Sequence, residues 1–193
     1  MNIMRMPILV FVCLLALSGC QSPQNQGQME TDGANSTASE NTATQIEAET
    51  TENDFCLTLY ADNSAYSTDD AIQIWATLEY VGSQRFAAIW HGDPYIVFSI
   101  TDGEDFHVSG LVQYGLDRTI LQKGQLYHFD YVKSGGYDTL APDADFWREF
   151  YHEEELKLPA GTYTVSVDGE FYLSEDMRSA EKGPSCSLQI TVQ

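Results

Sequence analysis

From residue 55 to the carboxyl end, the chain is written in short runs whose side chains alternate between apolar and polar, each closed by turn-forming residues. Residues 71–81 are the clearest run. Ile72, Ile74, Ala76, Leu78 and Tyr80 fall on one side, Gln73, Trp75, Thr77 and Glu79 on the other, and Val81-Gly82-Ser83 ends it. A period of two marks a strand with one buried and one solvated face. Residues 55–61 form a shorter strand closed by Asp62-Asn63-Ser64, whose side chains favour turns. Strands over 85–90 and 95–101 come next, divided by His91-Gly92-Asp93-Pro94, and Asp102-Gly103 offers a hairpin turn. Weaker strands follow over 106–114 and 118–121, then stronger ones over 125–132, 162–167, 170–173 and 187–192. Repeated short strands with turn signals predict an all-β antiparallel sandwich in one domain, residues 55–193.

One helix is expected to interrupt the strands. Pro142-Asp143 supplies a start, and Asp145 falls in the first turn, where the helix dipole favours an acid. Phe146, Trp147, Phe150 and Tyr151 then form an aromatic stripe. The stripe either docks the helix over an open end of the sandwich or presents Trp147 to a partner, since Trp and Tyr are enriched at binding hot spots.

The amino-terminal quarter is different in kind. Residues 21–54 hold seven acids (Glu30, Asp32, Glu40, Glu47, Glu49, Glu52, Asp54), no Lys or Arg, and only Met29 and Ile46 as larger apolar groups. Such a segment buries too little apolar area to offset its ordering entropy, so residues 20–54 are expected to be a disordered acidic tether. Its root-mean-square reach would be about 30 Å. The whole chain carries a formal charge of −20, and residues 55–193 hold 22 acids against 8 bases. That balance argues against nucleic acid as a partner, because nucleic-acid binding depends on Lys and Arg neutralising phosphates. It argues equally against a polybasic contact with anionic lipid.

Residues 1–19 have the three parts of a secretory signal: a positive start at Arg5, an apolar run over 8–17, and small residues at Ser18 and Gly19. The run is well short of the roughly 20 apolar residues a spanning helix needs. Leu17-Ser18-Gly19-Cys20 resembles the lipobox of bacterial lipoproteins, an aliphatic residue and two small residues before an obligatory cysteine. The resemblance implies cleavage before Cys20, diacylglycerol on its thiol, and display on the extracytoplasmic face of a bacterial cell membrane. The alternative is an ordinary signal peptide with Cys20 incidental.

With Cys13 in the signal and Cys20 lipidated, Cys56 and Cys186 remain. In an oxidising compartment they predict one disulfide, worth roughly 5 kcal/mol in the chain-entropy model for so long a loop. Two separate buried thiols are the alternative.

Leu158-Pro159-Ala160-Gly161-Thr162-Tyr163 resembles the tyrosine corner of immunoglobulin-like and fibronectin-type sandwiches. By that resemblance Leu158 and Gly161 shape a turn, Tyr163 bonds back to it, and the following strand is the penultimate one. The fold class expected is therefore an immunoglobulin-like β-sandwich with one short inserted helix, preceded by a signal peptide and tether. A looser similarity, over about residues 70–167, is to the intracellular proteinase inhibitor family of bacilli, which shares a Leu121-Gln122-Lys123-Gly124 turn and the late Leu-Pro-x-Gly-x-Tyr strand. The lipobox departs from that cytoplasmic family, and only the fold is carried over.

Residues with catalytic patterning are not found. His91, His107, His128 and His152 lack zinc-type spacing, no G-x-S-x-G elbow occurs, and Asp102-Gly103-Glu104-Asp105 lacks a calcium-loop register. No metal or other cofactor is implied. Trp90, His91 and Tyr95, in an aromatic stretch taken as an inter-strand loop, join Trp147 as candidate binding residues. The expectation is a lipid-anchored, non-catalytic binding or accessory module for a protein, peptide or glycan. A surface-displayed protease inhibitor is the alternative, and an unrecognised hydrolase a more remote one.

Overall fold

The computed structural model describes residues 44–176 and 181–193. Residues 1–43, with the signal segment, Cys20 and most of the expected tether, lie outside them. Among the described residues, ten strands and one helix run in the order β1 Ile46–Glu52, β2 Phe55–Ala61, β3 Ala65–Tyr66, β4 Ile74–Tyr80, β5 Phe86–Thr101, β6 His107–Ser109, β7 Gln113–Gln122, β8 Leu126–Asp130, α1 Ala144–His152, β9 Gly161–Tyr172 and β10 Ser185–Val192. One sheet has the order β1-β2-β4-β8, the other β3-β10-β9-β5-β6, with β7 also paired to β5. All pairings between these strands are antiparallel except β3 with β10. With β1 set aside, β2, β4 and β8 occupy the places of strands A, B and E of an immunoglobulin-like sandwich, and β5, β9 and β10 those of C, F and G.

Alternation builds the core. Leu57, Leu59, Ala76 and Leu78 from one sheet meet Ile89, Ile100, Val165, Val167 and Phe171 from the other, all fully buried. Phe171 sits edge-on to Phe55 at 5.1 Å, and truncating such a ring costs about 3–5 kcal/mol. The expected tyrosine corner is formed: the Tyr163 hydroxyl donates to the Pro159 carbonyl at 2.9 Å. The Leu121-Gln122-Lys123-Gly124 stretch turns the chain from β7 in one sheet to β8 in the other. There Gln125 N bonds Gln122 O, and Gly124 holds a φ of +76°, which favours glycine.

Four expectations need correction. The tether does not extend to residue 54, because Ile46–Glu52 forms an edge strand on β2. Asn53 and Asp54, both at positive φ, make the two-residue hairpin turn that joins them. The His91-Gly92-Asp93-Pro94 stretch is not an inter-strand loop. β5 runs through it with a register shift between His91 and Ile96 and a cis Asp93–Pro94 bond, its first half paired to β7 and, at Trp90 and His91, to β9, its second half to β6 and β9. Residues 162–167 and 170–173 likewise belong to one strand, β9. Finally, Cys56 and Cys186 are free thiols. Cys56 shares the outer face of β2 with Tyr60, opposite Thr51 and Glu79, whereas Cys186 shares the inner face of β10 with Leu188 and Ile190.

Candidate binding face

The four nominated binding residues do not form one site. His91 is 6 % exposed and points into the core. Its Nδ1 faces the Gly92 carbonyl, which can only accept, so that nitrogen carries the hydrogen, and Nε2 meets Thr119 Oγ1 at 2.8 Å. Tyr95 packs on the His91 ring at 4.5 Å and edge-on to Phe129 at 5.3 Å, and burial raises its hydroxyl pKa. Both are core-forming. Trp147 lies elsewhere, stacked on Phe106 at 5.4 Å, with its Nε1 donating to Asp143 Oδ2 at 2.7 Å. Its ring docks α1 on the sandwich.

A groove of about 430 Å3 opens where the ends of β4 and β8 meet the chain leaving α1, lined by Ile72, Trp75, Asp130, Lys133, Glu155 and Leu156. Its one cation is already engaged. Lys133 Nζ donates to the carbonyls of Phe150 at 2.7 Å and Glu155 at 2.8 Å, and lies 4.9 Å from the Phe150 ring centre. Burial lowers its pKa from the ordinary lysine value. This lysine ties the end of α1 to β8 and leaves little in the groove to recognise a ligand.

Trp90 is different. Ile89 and His91 on either side of it turn into the core, so Phe86, Ala88 and Trp90 face outward on β5. The same alternation sets Leu116, Arg118 and Ile120 outward on β7 and Tyr172 outward at the end of β9. Strand register then makes a row of neighbours across the sheet: Arg118 beside Trp90, Trp90 beside Tyr172, Tyr172 beside Lys182. The Arg118 guanidinium lies 5.5 Å from the Trp90 ring centre, Lys182 Nζ 5.7 Å from Tyr172, and Arg85 5.0 Å from Phe86. Each such contact is worth about 0.5–1 kcal/mol at an exposed site. None of these three cations has a carboxylate within ion-pair distance among the described residues.

The face is also apolar. Phe86, Leu116 and Ile120 are 47 %, 51 % and 45 % exposed. Further along the same sheet the outward residues become polar, with Ser99 opposite Ser166 and Thr101 opposite Thr164. Aromatic, aliphatic and cationic groups are thus gathered at one end of one face. The sequence reading singled out only Trp90 from this set. The signal available was the run 85–90, which is apolar on both strand faces apart from Arg85.

Among the described residues, no group of three or more His, Cys, Asp or Glu is placed to hold a metal ion, and no helix is long and apolar enough to cross a membrane. No protein-family model and no curated protein sequence matches the chain. A β-glucosidase from Erythrobacter marinus is similar in structure over 78 % of this chain at 13 % identity, with a TM-score of 0.34. This chain spans 15 % of that enzyme's length, and a likeness of this size says nothing of activity.

Proposed function

We propose that this chain is a lipid-anchored protein of the extracytoplasmic membrane face whose sandwich serves as a non-catalytic binding module. The observation that carries the binding role is the row Arg118–Trp90–Tyr172–Lys182, which leaves cations and aromatic faces open on an otherwise acidic domain. Exposed aromatic residues with arginine are the composition of binding hot spots. The anchoring role is supported by the lipobox-like Leu17-Ser18-Gly19-Cys20 at the end of an apolar run.

A photo-crosslinking side chain at Ile120 in the native host tests the binding role, with the same group at Ser99 on the polar half of the face as control. Adducts of defined mass, to protein, glycan or lipid, are expected from position 120 and not from 99. Equal or absent labelling at the two positions would overturn the reading. For the anchor, Cys20→Ser should abolish lipid labelling and move the protein out of the membrane fraction.

A further inference from the structure

We infer that the face around Trp90 docks on a membrane surface bearing anionic headgroups, an inference that rests on the binding-module reading above and names its ligand. Three observations select this occupant. First, the charge is complementary: Arg85, Arg118 and Lys182, three of the nine Lys and Arg in a chain of formal charge −20, stand on this face without a carboxylate partner among the described residues, against Glu170, the acid that alternation sets outward two residues before Tyr172. Second, the apolar members are aliphatic as well as aromatic. Phe86, Leu116 and Ile120 stand open on strands instead of lining a cleft, and Tyr114, earlier on β7, is fully exposed. Sugars stack on aromatic rings and gain little from Leu or Ile, whereas the boundary between headgroups and acyl chains accepts Leu, Ile, Phe, Trp and Tyr together. Third, only residues 21–45 separate Cys20 from the first strand, so a lipid on Cys20 would raise the local concentration of membrane at the domain.

The acidic remainder of the domain sharpens the geometry. An anionic surface repels most of the molecule and attracts this one face, so charge sets the docking orientation as well as the strength. The balance of 22 acids to 8 bases argues against a polybasic contact with anionic lipid for the domain taken as a whole, and the proposal departs from it only at this face, where charge is not spread evenly. Arginine and lysine lying over aromatic rings also carry their charge at ring height, where headgroup phosphates would meet them.

Residues 20–193 with Cys20→Ser, which retain every described residue but no lipid, are mixed with vesicles of phosphatidylcholine containing one quarter phosphatidylglycerol, and with phosphatidylcholine alone. Sedimentation should show roughly tenfold tighter association with the anionic vesicles, lost in high salt. Arg118→Glu with Lys182→Glu should reduce it by at least tenfold, while circular dichroism and melting stay unchanged. Should that pair prove unstable, Ile120→Ser with Leu116→Ser on the edge strand gives a second reading of the same face. No association with anionic vesicles, or association in the variants equal to that of the unsubstituted face, overturns the inference. If soluble acidic glycans or peptides bind through Arg118 and Lys182 while vesicles do not, the lipid surface is excluded and the binding-module reading stands. If crosslinking at Ile120 also yields nothing, both fall.

Discussion

Tyr163 donates its hydroxyl hydrogen to the carbonyl of Pro159, four residues earlier, across 2.9 Å. The bond fixes the angle at which the chain leaves the Leu158–Gly161 turn and enters β9, the strand against which both β5 and β10 are built. Replacing Tyr163 with Phe keeps the buried ring and removes only this bond. The expected loss is about 1–2 kcal/mol, or roughly 3–8 °C in Tm for a domain of this size. Urea unfolding should move its midpoint with no change of slope. An unmoved midpoint would mean the corner is decorative.

Trp147 stacks on Phe106, and Phe106 in turn meets Tyr163 edge-on at 5.3 Å, so α1, the segment before β6 and the corner form one aromatic cluster. Trp147→Ala should cost about 2 kcal/mol, below the range for a fully buried ring because Trp147 is only partly covered. Trp147→Phe should recover most of it, losing chiefly the bond to Asp143. Binding at the Trp90 face should be the same in both. A Trp147→Ala protein with wild-type melting but altered binding would return Trp147 to the list of binding residues.

Much of this fold is legible in the sequence because the core-forming strands alternate strictly. Residues 74–80 and 161–167 advertise one wet and one dry face, and the corner motif orients them. Where alternation fails, so does the reading. β5 breaks period at its register shift, so a continuous strand looks like two strands and a loop. β1 buries little, its acids Glu47 and Glu49 lie on the outer face, and its composition mimics a tether. Only the Asn53-Asp54 turn signals the hairpin. The binding face is hidden for a third reason. Trp90, Arg118, Tyr172 and Lys182 are far apart in sequence, and register alone brings them into a row. Cys56 and Cys186 show the converse: an even number of remaining thiols suggests a pair, while strand alternation decides which face each thiol occupies.

Several tyrosines are held protonated by the fold. Burial raises the Tyr66 hydroxyl well above the ordinary tyrosine range, reinforced by the Asp62 carboxylate that accepts its hydrogen at 2.7 Å. Burial does the same for Tyr131. Above the unfolded pKa of about 10, the folded chain therefore binds more protons than the unfolded one. Stability is fully present below that pH and falls as pH rises, by up to about 1.4 kcal/mol per pH unit for each such group. Urea titrations between pH 8 and pH 11 should show this decline. Tyr131→Phe, which leaves nothing to ionise, should make it shallower. A stability flat to pH 11 would contradict the assignment.

Cys186 lies on the inner face of β10 with its Sγ 3.5 Å from the Ala48 carbonyl and 3.7 Å from that of Leu57. Burial pushes its thiol pKa up to about 11. At pH 8 only about 0.1 % is thiolate, the reactive form, so alkylation of the native protein at Cys186 should be slow and should quicken about tenfold per pH unit towards pH 10. Cys56, the neighbour of Leu57 in β2, is set on the outer face of that strand, and the two thiols are not bonded. Protein purified without reductant and unfolded in urea should therefore take up two alkyl groups at Cys56 and Cys186 by mass. Uptake of none until a reductant is added would establish a disulfide between them.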